Sequence, residues 1–166
     1  MINNKQTPIE FSEQLIKGKI AEMVFSQMFR GSNNFTVIPF GYENTFPEIV
    51  QYANLANNKK VFETIRNAPD FALVSHDKRD VYLVEVKYRH NLTNEHIQEI
   101  AEKIHNRWKS VQLFIATPGG FFFGDCSEII LDKGKISPLD TKWVSEESQK
   151  EYIKLLMSFI NKPDKK

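Results

Sequence analysis

Three ionisable residues interrupt two otherwise apolar stretches of the chain, and their types suit metal and phosphate chemistry. Asp70 stands just before FALV, and Glu85 and Lys87 lie within VYLVEVKY. Charged groups are costly to desolvate, so charges inside apolar segments need an explanation. Two neighbouring carboxylates repel unless a cation lies between them, and Mg2+ takes such oxygen ligands at about 2.1 Å. We therefore predict a Mg2+ site, in which Mn2+ can substitute, at Asp70 and Glu85, with Lys87 orienting or polarising a metal-associated water.

This prediction depends on the register of a hairpin that turns at HDKRD, because successive side chains of a strand point to opposite faces. A four-residue loop, Asp77 to Asp80, places Asp70 opposite Lys87, and a six-residue loop places it opposite Glu85. Either register gathers the three charges on one face, with directly opposed Cβ atoms roughly 5 Å apart. A three- or five-residue loop would separate them. The even registers also create an apolar or aromatic opposite face, formed by Phe71, Leu73, Tyr82, Val84, Val86 and Tyr88.

Glu22 is a fourth candidate, and it comes from the first predicted helix. It shares a helix side with Leu15 and Phe25, and Gly18, one turn earlier, leaves space beside it. If this helix packs across the sheet, Glu22 can reach the same cation or a water on it. The alternative is an ordinary solvated glutamate.

The surrounding pattern predicts the elements that must position these residues. The sequence Thr7-Pro8-Ile9-Glu10 fits a capping box, and it starts a helix that runs to Arg30. A strand follows, which Pro39 marks as an edge or a strand end. Residues 47–66 are compatible with two short helices. After the hairpin come a helix capped by Thr93 or Asn94, the buried strand VQLFIAT, a hairpin partner FFFGD, and a last helix that begins at Ser145.

Composition indicates one globular domain rather than two. The chain has 166 residues, of which 41% are hydrophobic, and its formal net charge of +1 means that any nucleic-acid-binding face must be a local basic patch. The single cysteine, Cys126, excludes an intrachain disulfide and a thiolate zinc site. The first residues are polar, unlike a signal peptide, and no apolar run reaches membrane-spanning length. We expect a cytoplasmic protein without a membrane partner.

Several of these pieces resemble the PD-(D/E)XK nuclease superfamily, which has the restriction-endonuclease-like fold. The pieces are Glu22 on the first helix, Pro69-Asp70 at the start of a strand, and Glu85-Val86-Lys87 in the next strand. The resemblance covers about residues 8–117, in the order helix, three strands, helix, strand, and Holliday-junction resolvases are similar in size. It implies an α/β fold with a mixed central sheet flanked by helices. Residues 118–160 would then be a C-terminal hairpin and helix added to this core, and residues 161–166 a frayed tail.

Membership of this superfamily would imply a metal-dependent nuclease. Asp70, Glu85, the backbone carbonyl of Val86 and Glu22 would hold Mg2+, and Lys87 would position the attacking water. The implied reaction is hydrolysis of phosphodiester bonds, with DNA as the favoured substrate. Cutting both strands of a duplex would favour a homodimer.

The remaining signals have alternative interpretations. Arg89 and His90 directly follow the motif and either contact phosphates or mark an exposed strand end. Arg107 and its basic neighbours Lys103 and Lys109 are interpreted as complementing a helix dipole. The charges of the hairpin could instead form a cross-strand salt bridge at a sheet edge. At the level of function, the alternative is a non-catalytic module that binds nucleic acid or a protein, which the near-neutral charge favours.

Overall fold

The structure is a computed structural model, and it describes residues 7–42 and 59–161. Its elements in chain order are α1 (Pro8–Gly31), β1 (Phe35–Pro39), α2 (Lys59–Arg66), β2 (Phe71–Ser75), β3 (Val81–Tyr88), α3 (Asn94–Arg107), β4 (Val111–Thr117), β5 (Gly120–Asp125), α4 (Cys126–Leu131) and α5 (Glu146–Ile160). Of the region that the sequence left ambiguous, residues 47–58 lie outside the described residues and 59–66 are helical. Residues 162–166 of the expected tail also lie outside them.

The described strands form one five-stranded mixed sheet in the order β1-β2-β3-β4-β5. Only β3 and β4 run parallel, and α3 makes the crossover that such a pair requires. Among the described strands β1 pairs only with β2, and it ends at Pro39, as the sequence predicts for an edge strand. The expected α/β fold with a mixed sheet flanked by helices is therefore confirmed. The sequence pattern did not reveal α4, because six residues are too few for a helical period to be recognised.

One face of the sheet packs against α1 and α5. Its centre is a group of rings in which the centroids of Phe25 and Phe114 are 4.9 Å apart and those of Phe25 and Phe29 are 4.5 Å apart. The predicted apolar face of the hairpin lies here: four of its side chains are buried and its two tyrosines pack against them. Phe121 and Phe123 of β5 join the same cluster, which makes them core residues.

The other face packs against α3 and α4. Its buried cluster includes Ile97 and Ile100 of α3, Leu113 and Ile115 of β4, and Cys126 of α4. Because Leu113 and Ile115 are the register partners of Glu85 and Lys87, this is the face on which the two charged side chains stand.

None of the described helices combines the length and the apolar content that a membrane span requires.

The N-terminus of α3 gives a direct test of the fold on the site-bearing face. Thr93 is the N-cap, and its hydroxyl oxygen accepts a hydrogen bond from the backbone N–H of His96 at 3.3 Å. Replacing Thr93 with alanine removes this acceptor, so we expect the free energy of unfolding to fall by about 1 kcal/mol. Urea denaturation measures the change. Thr93→Ser keeps the hydroxyl and is expected to stay close to wild type; equal losses in both variants would contradict the capping role.

Candidate functional site

The hairpin adopts the register that places Asp70 directly opposite Glu85. Val74 pairs with Val81, which leaves a six-residue loop. The same register, continued to the residue before β2, sets Asp70 opposite Glu85. The four-residue loop, which would have placed Asp70 opposite Lys87, is wrong. The sequence could not decide between them because both registers give the same alternation of apolar and charged side chains.

Glu85 and Lys87 stand on one face of β3, the central strand of the sheet. Their side chains form an ion pair with each other along the strand. Both are largely buried, with 17% of the Glu85 side chain and 33% of the Lys87 side chain exposed. The alternative of a cross-strand salt bridge at a sheet edge is therefore wrong, both in strand position and in the partners that it joins.

Asp70 is fixed by its neighbours on both sides. Its Oδ2 accepts a hydrogen bond from the backbone N–H of Val86 at 2.8 Å, across the hairpin. Its carbonyl oxygen accepts from the N–H groups of Phe40 and Gly41 at 2.9 and 3.2 Å, just beyond the end of β1. The carboxylate therefore has a defined position between β1 and β3.

Pro69 leaves the backbone carbonyl of Val86 without its hydrogen bond to β2. The N–H and C=O of one strand residue point to the same side, and the N–H of Val86 points to Asp70, so its carbonyl also faces β2. The extended register sets Pro69 opposite Val86. Proline has no N–H, so the ladder hydrogen bond to the Val86 carbonyl at this position cannot form. This oxygen points toward β2 and can accept another donor or a cation.

Glu22 approaches from the helix on the opposite face of the sheet. Its carboxylate forms a 3.0 Å ion pair with Lys19, one turn earlier on α1. Within residues 7–42 and 59–161, no neighbouring backbone approaches Gly18, and an added Cβ there would meet no heavy atom within 4 Å. Glu22 shares an open cleft of about 210 Å³, here called the carboxylate cleft, with Asp70 and Glu85. The cleft is lined by Lys19, Glu22, Gly41, Tyr42, Arg66, Asn67, Ala68, Asp70, Phe71, Glu85, Ile104 and Arg107.

The carboxylate cleft concentrates negative charge around Asp70. Burial, then the charge of Glu85, raises the pKa of Asp70 from its ordinary 3.8 to about 7, and Glu22 adds to the shift. The Lys87 ammonium and the Val86 N–H act in the opposite direction without cancelling it. A carboxylate with a raised pKa gains from any cation that enters the cleft, because the cation stabilises its ionised form.

The oxygen atoms around Asp70 suit a divalent cation by type, but their side chains are not arranged around one point. Within residues 7–42 and 59–161, no group of three or more His, Cys, Asp or Glu side chains is arranged to hold a metal ion. Glu85 is turned to Lys87 and Glu22 to Lys19. Two carboxylates and the Val86 carbonyl are nevertheless hard oxygen donors of the kind that Mg2+ takes, with water completing its shell. The site fits Mg2+ by donor type, provided that Glu85 exchanges Lys87 for the cation.

Arg89 and His90 lie outside the carboxylate cleft. They line a second cleft of about 580 Å³, here called the basic cleft, which adjoins the first at Lys19 and Glu22. Arg89 donates to the carbonyl oxygen of Tyr88 at 2.7 Å, and its partial burial lowers the pKa of the guanidinium. His90 is exposed. The basic cleft is lined by Phe11, Gln14, Leu15, Lys17, Gly18, Lys19, Glu22, Val86, Lys87, Tyr88, Arg89, His90 and His96.

Two arginines of the carboxylate cleft were missed as site residues. Arg107, which the sequence suggested only as a partner of the helix dipole, donates to the side-chain oxygen of Asn67 at 2.8 Å. Arg66 lines the same cleft. Arg66 and Asn67 immediately precede Ala68-Pro69-Asp70, and this proximity in sequence was the one signal that could have indicated their place.

Comparison of the chain with protein-family models, with curated proteins and with solved structures finds no match in any of the three.

Proposed function

We propose that the protein is a Mg2+-dependent nuclease that hydrolyses phosphodiester bonds, with DNA as the favoured substrate and a restriction-endonuclease-like core. The observation that carries the proposal is the direct opposition of Asp70 and Glu85 on adjacent strands. Lys87 stands on the same face, and the Val86 N–H donates to Asp70 while its carbonyl points toward β2. Carboxylates, a carbonyl and an amine in this arrangement suit cation-assisted attack of water on a phosphate.

Each group has a distinct role in the proposed reaction. Asp70, Glu85 and the Val86 carbonyl would hold the cation, and Glu22 would support the cation or a water bound to it. Mg2+, when bound, supplies Lewis-acid activation of the attacking water and of the phosphoryl oxygens. Lys87 donates hydrogen bonds to the attacking water and to the phosphate oxygen on which negative charge develops. The Asp70 side chain keeps its orientation through the Val86 N–H, so the cation site needs little reorganisation at this carboxylate.

A non-catalytic binding module is the second candidate, and the two ion pairs favour it. Lys19 and Lys87 already neutralise Glu22 and Glu85, so the cleft can persist without a metal. The two candidates differ in their response to divalent cations. A nuclease of this kind binds Mg2+ or Mn2+ at Asp70, whereas the binding module has no such linkage.

Metal titration with a thermal readout tests the proposal. We expect Mg2+ and Mn2+ to raise the melting temperature, because a ligand at a hundredfold excess over its Kd stabilises the folded state by about 2.7 kcal/mol. Asp70→Ala is expected to abolish the shift and also Mg2+-dependent cleavage of labelled DNA. Asp80→Ala is the matched control, since Asp80 is an exposed carboxylate at the far end of the same hairpin. A wild-type protein that shows neither metal stabilisation nor cleavage would favour the binding module, and an active Asp70→Ala variant would end the nuclease proposal.

A further inference from the structure

The basic cleft is positively charged although the chain as a whole is almost neutral. Of the residues that the structure describes, four cationic side chains line it, against the single carboxylate of Glu22. Lys19 and Lys87 have glutamate partners, whereas Lys17 and Arg89 form no salt bridge among the residues that the structure describes. A local excess of positive charge in a concave surface attracts polyanions such as a nucleic-acid backbone.

The wall that α1 contributes to this cleft carries exposed apolar side chains. Phe11, Leu15, Gly18 and Glu22 follow one another at intervals of four, three and four residues, so they form one stripe along the helix. All four line the basic cleft. Phe11 is 61% exposed and Leu15 is 58% exposed, whereas Phe25 and Phe29, further along the same side of α1, are buried in the core. An exposed aromatic ring beside basic groups is the combination with which proteins bind unpaired bases.

The length of the stripe relates this surface to the carboxylates. Eleven residues separate Phe11 from Glu22, which corresponds to about 16 Å along a helix axis. A strand lying along α1 therefore covers a few nucleotides between Phe11 and the carboxylate cleft. The bases of a duplex are stacked within the helix and cannot present a face to Phe11, whereas unpaired bases can.

We propose that the basic cleft binds a single-stranded segment of nucleic acid, with Phe11 stacking on an unpaired base and Lys17 and Arg89 contacting its phosphates. This inference rests on the proposed nuclease function in one respect only: the bound segment leads to the phosphate that is cleaved at Asp70 and Glu85. The substrate class is thereby narrowed to single strands, or to duplexes that carry an unpaired end or loop.

Binding measured without cleavage tests this inference. Fluorescence anisotropy in EDTA compares a short labelled single strand with the duplex of the same sequence. We expect the single strand to bind more tightly, and Phe11→Leu, which keeps an apolar side chain but removes the ring, to weaken it by about 5- to 100-fold. Phe11→Trp is expected to retain binding. Ile9→Ala, which truncates another exposed apolar side chain of α1, is the matched control. The same measurement on DNA and RNA strands of one sequence shows which of the two nucleic acids the basic cleft prefers.

The phosphate contacts have a separate readout. Lys17→Ala is expected to reduce the slope of log affinity against log salt concentration by about 0.7, the value for one phosphate contact on a single strand. Equal affinity for duplex and single strand, together with no effect of Phe11→Leu, would overturn the inference. Cleavage of duplex DNA by that variant at the wild-type rate would overturn it while leaving the nuclease proposal standing. Phe11-dependent binding without any cleavage would support the inference and count against the nuclease.

Discussion

Replacing Lys87 with alanine is expected to slow metal-dependent phosphodiester cleavage by about 10²- to 10³-fold, the usual effect of removing one donor that stabilises developing charge. The ammonium stands beside Glu85 on the face that carries the carboxylates, where it can reach a bound phosphate. It also competes with a cation for Glu85. The variant is therefore expected to bind Mg2+ as tightly as wild type or more tightly, so loss of metal will not account for its slow reaction.

Single-turnover cleavage and Mg2+ titration of the same preparations measure the two effects. Lys87→Met keeps most of the side-chain volume and separates loss of charge from loss of packing, and both variants are expected to be slow. Lys142→Ala removes an equivalent charge next to Trp143, near the opposite end of β3, and is expected to cleave at the wild-type rate. A Lys87→Ala rate within twofold of wild type would remove Lys87 from the mechanism.

The metal-free protein is expected to lose stability as the pH rises toward neutrality, and Asp70→Asn is expected to remove much of this loss. Burial and the charge of Glu85 raise the pKa of Asp70 from 3.8 to about 7, so the folded state binds this proton more tightly than the unfolded state. The stabilisation due to the proton is complete below the unfolded pKa and disappears as the pH rises through the folded pKa. Its slope approaches about 1.4 kcal/mol per pH unit between the two values.

Urea denaturation in EDTA, from about pH 4 to about pH 8, measures this linkage. The difference in unfolding free energy between Asp70→Asn and wild type reports Asp70 together with its charge interaction with Glu85, because the remaining titrating groups are common to both proteins. The variant is expected to gain relative to wild type by a few kcal/mol across this range. Mg2+ should restore wild-type stability selectively at the upper end, where Asp70 is ionised. A difference that stays constant with pH would show that Asp70 titrates normally.

The features that the sequence predicted are those encoded by local pattern. The capping box at Thr7 and Glu10 forms as expected, with hydrogen bonds of 2.7 and 3.2 Å. The alternation along VYLVEVKY assigned Glu85 and Lys87 to one face and Tyr82, Val84, Val86 and Tyr88 to the other, and both assignments are confirmed.

The features that it could not predict depend on contacts between distant segments. Arg107 and Asn67 are forty residues apart, and their hydrogen bond exists only because α3 ends beside the segment that leads into β2. The pairing of Glu22 with Lys19 is local, but no helical pattern specifies which of several acceptors a lysine selects. The sequence also could not predict the loop length of the hairpin, because the four-residue and six-residue loops give the same alternation of apolar and charged side chains.

The carboxylate cleft draws its residues from both sides of the sheet, and this has a consequence for folding. Glu85 stands on the face that α3 and α4 cover, whereas Glu22 belongs to α1, which packs on the opposite cluster. A nascent or partly unfolded chain in which helices have packed on only one face of the sheet therefore lacks part of this carboxylate set. The full set of acidic groups is therefore complete only when both layers are in place, as a property of the finished molecule.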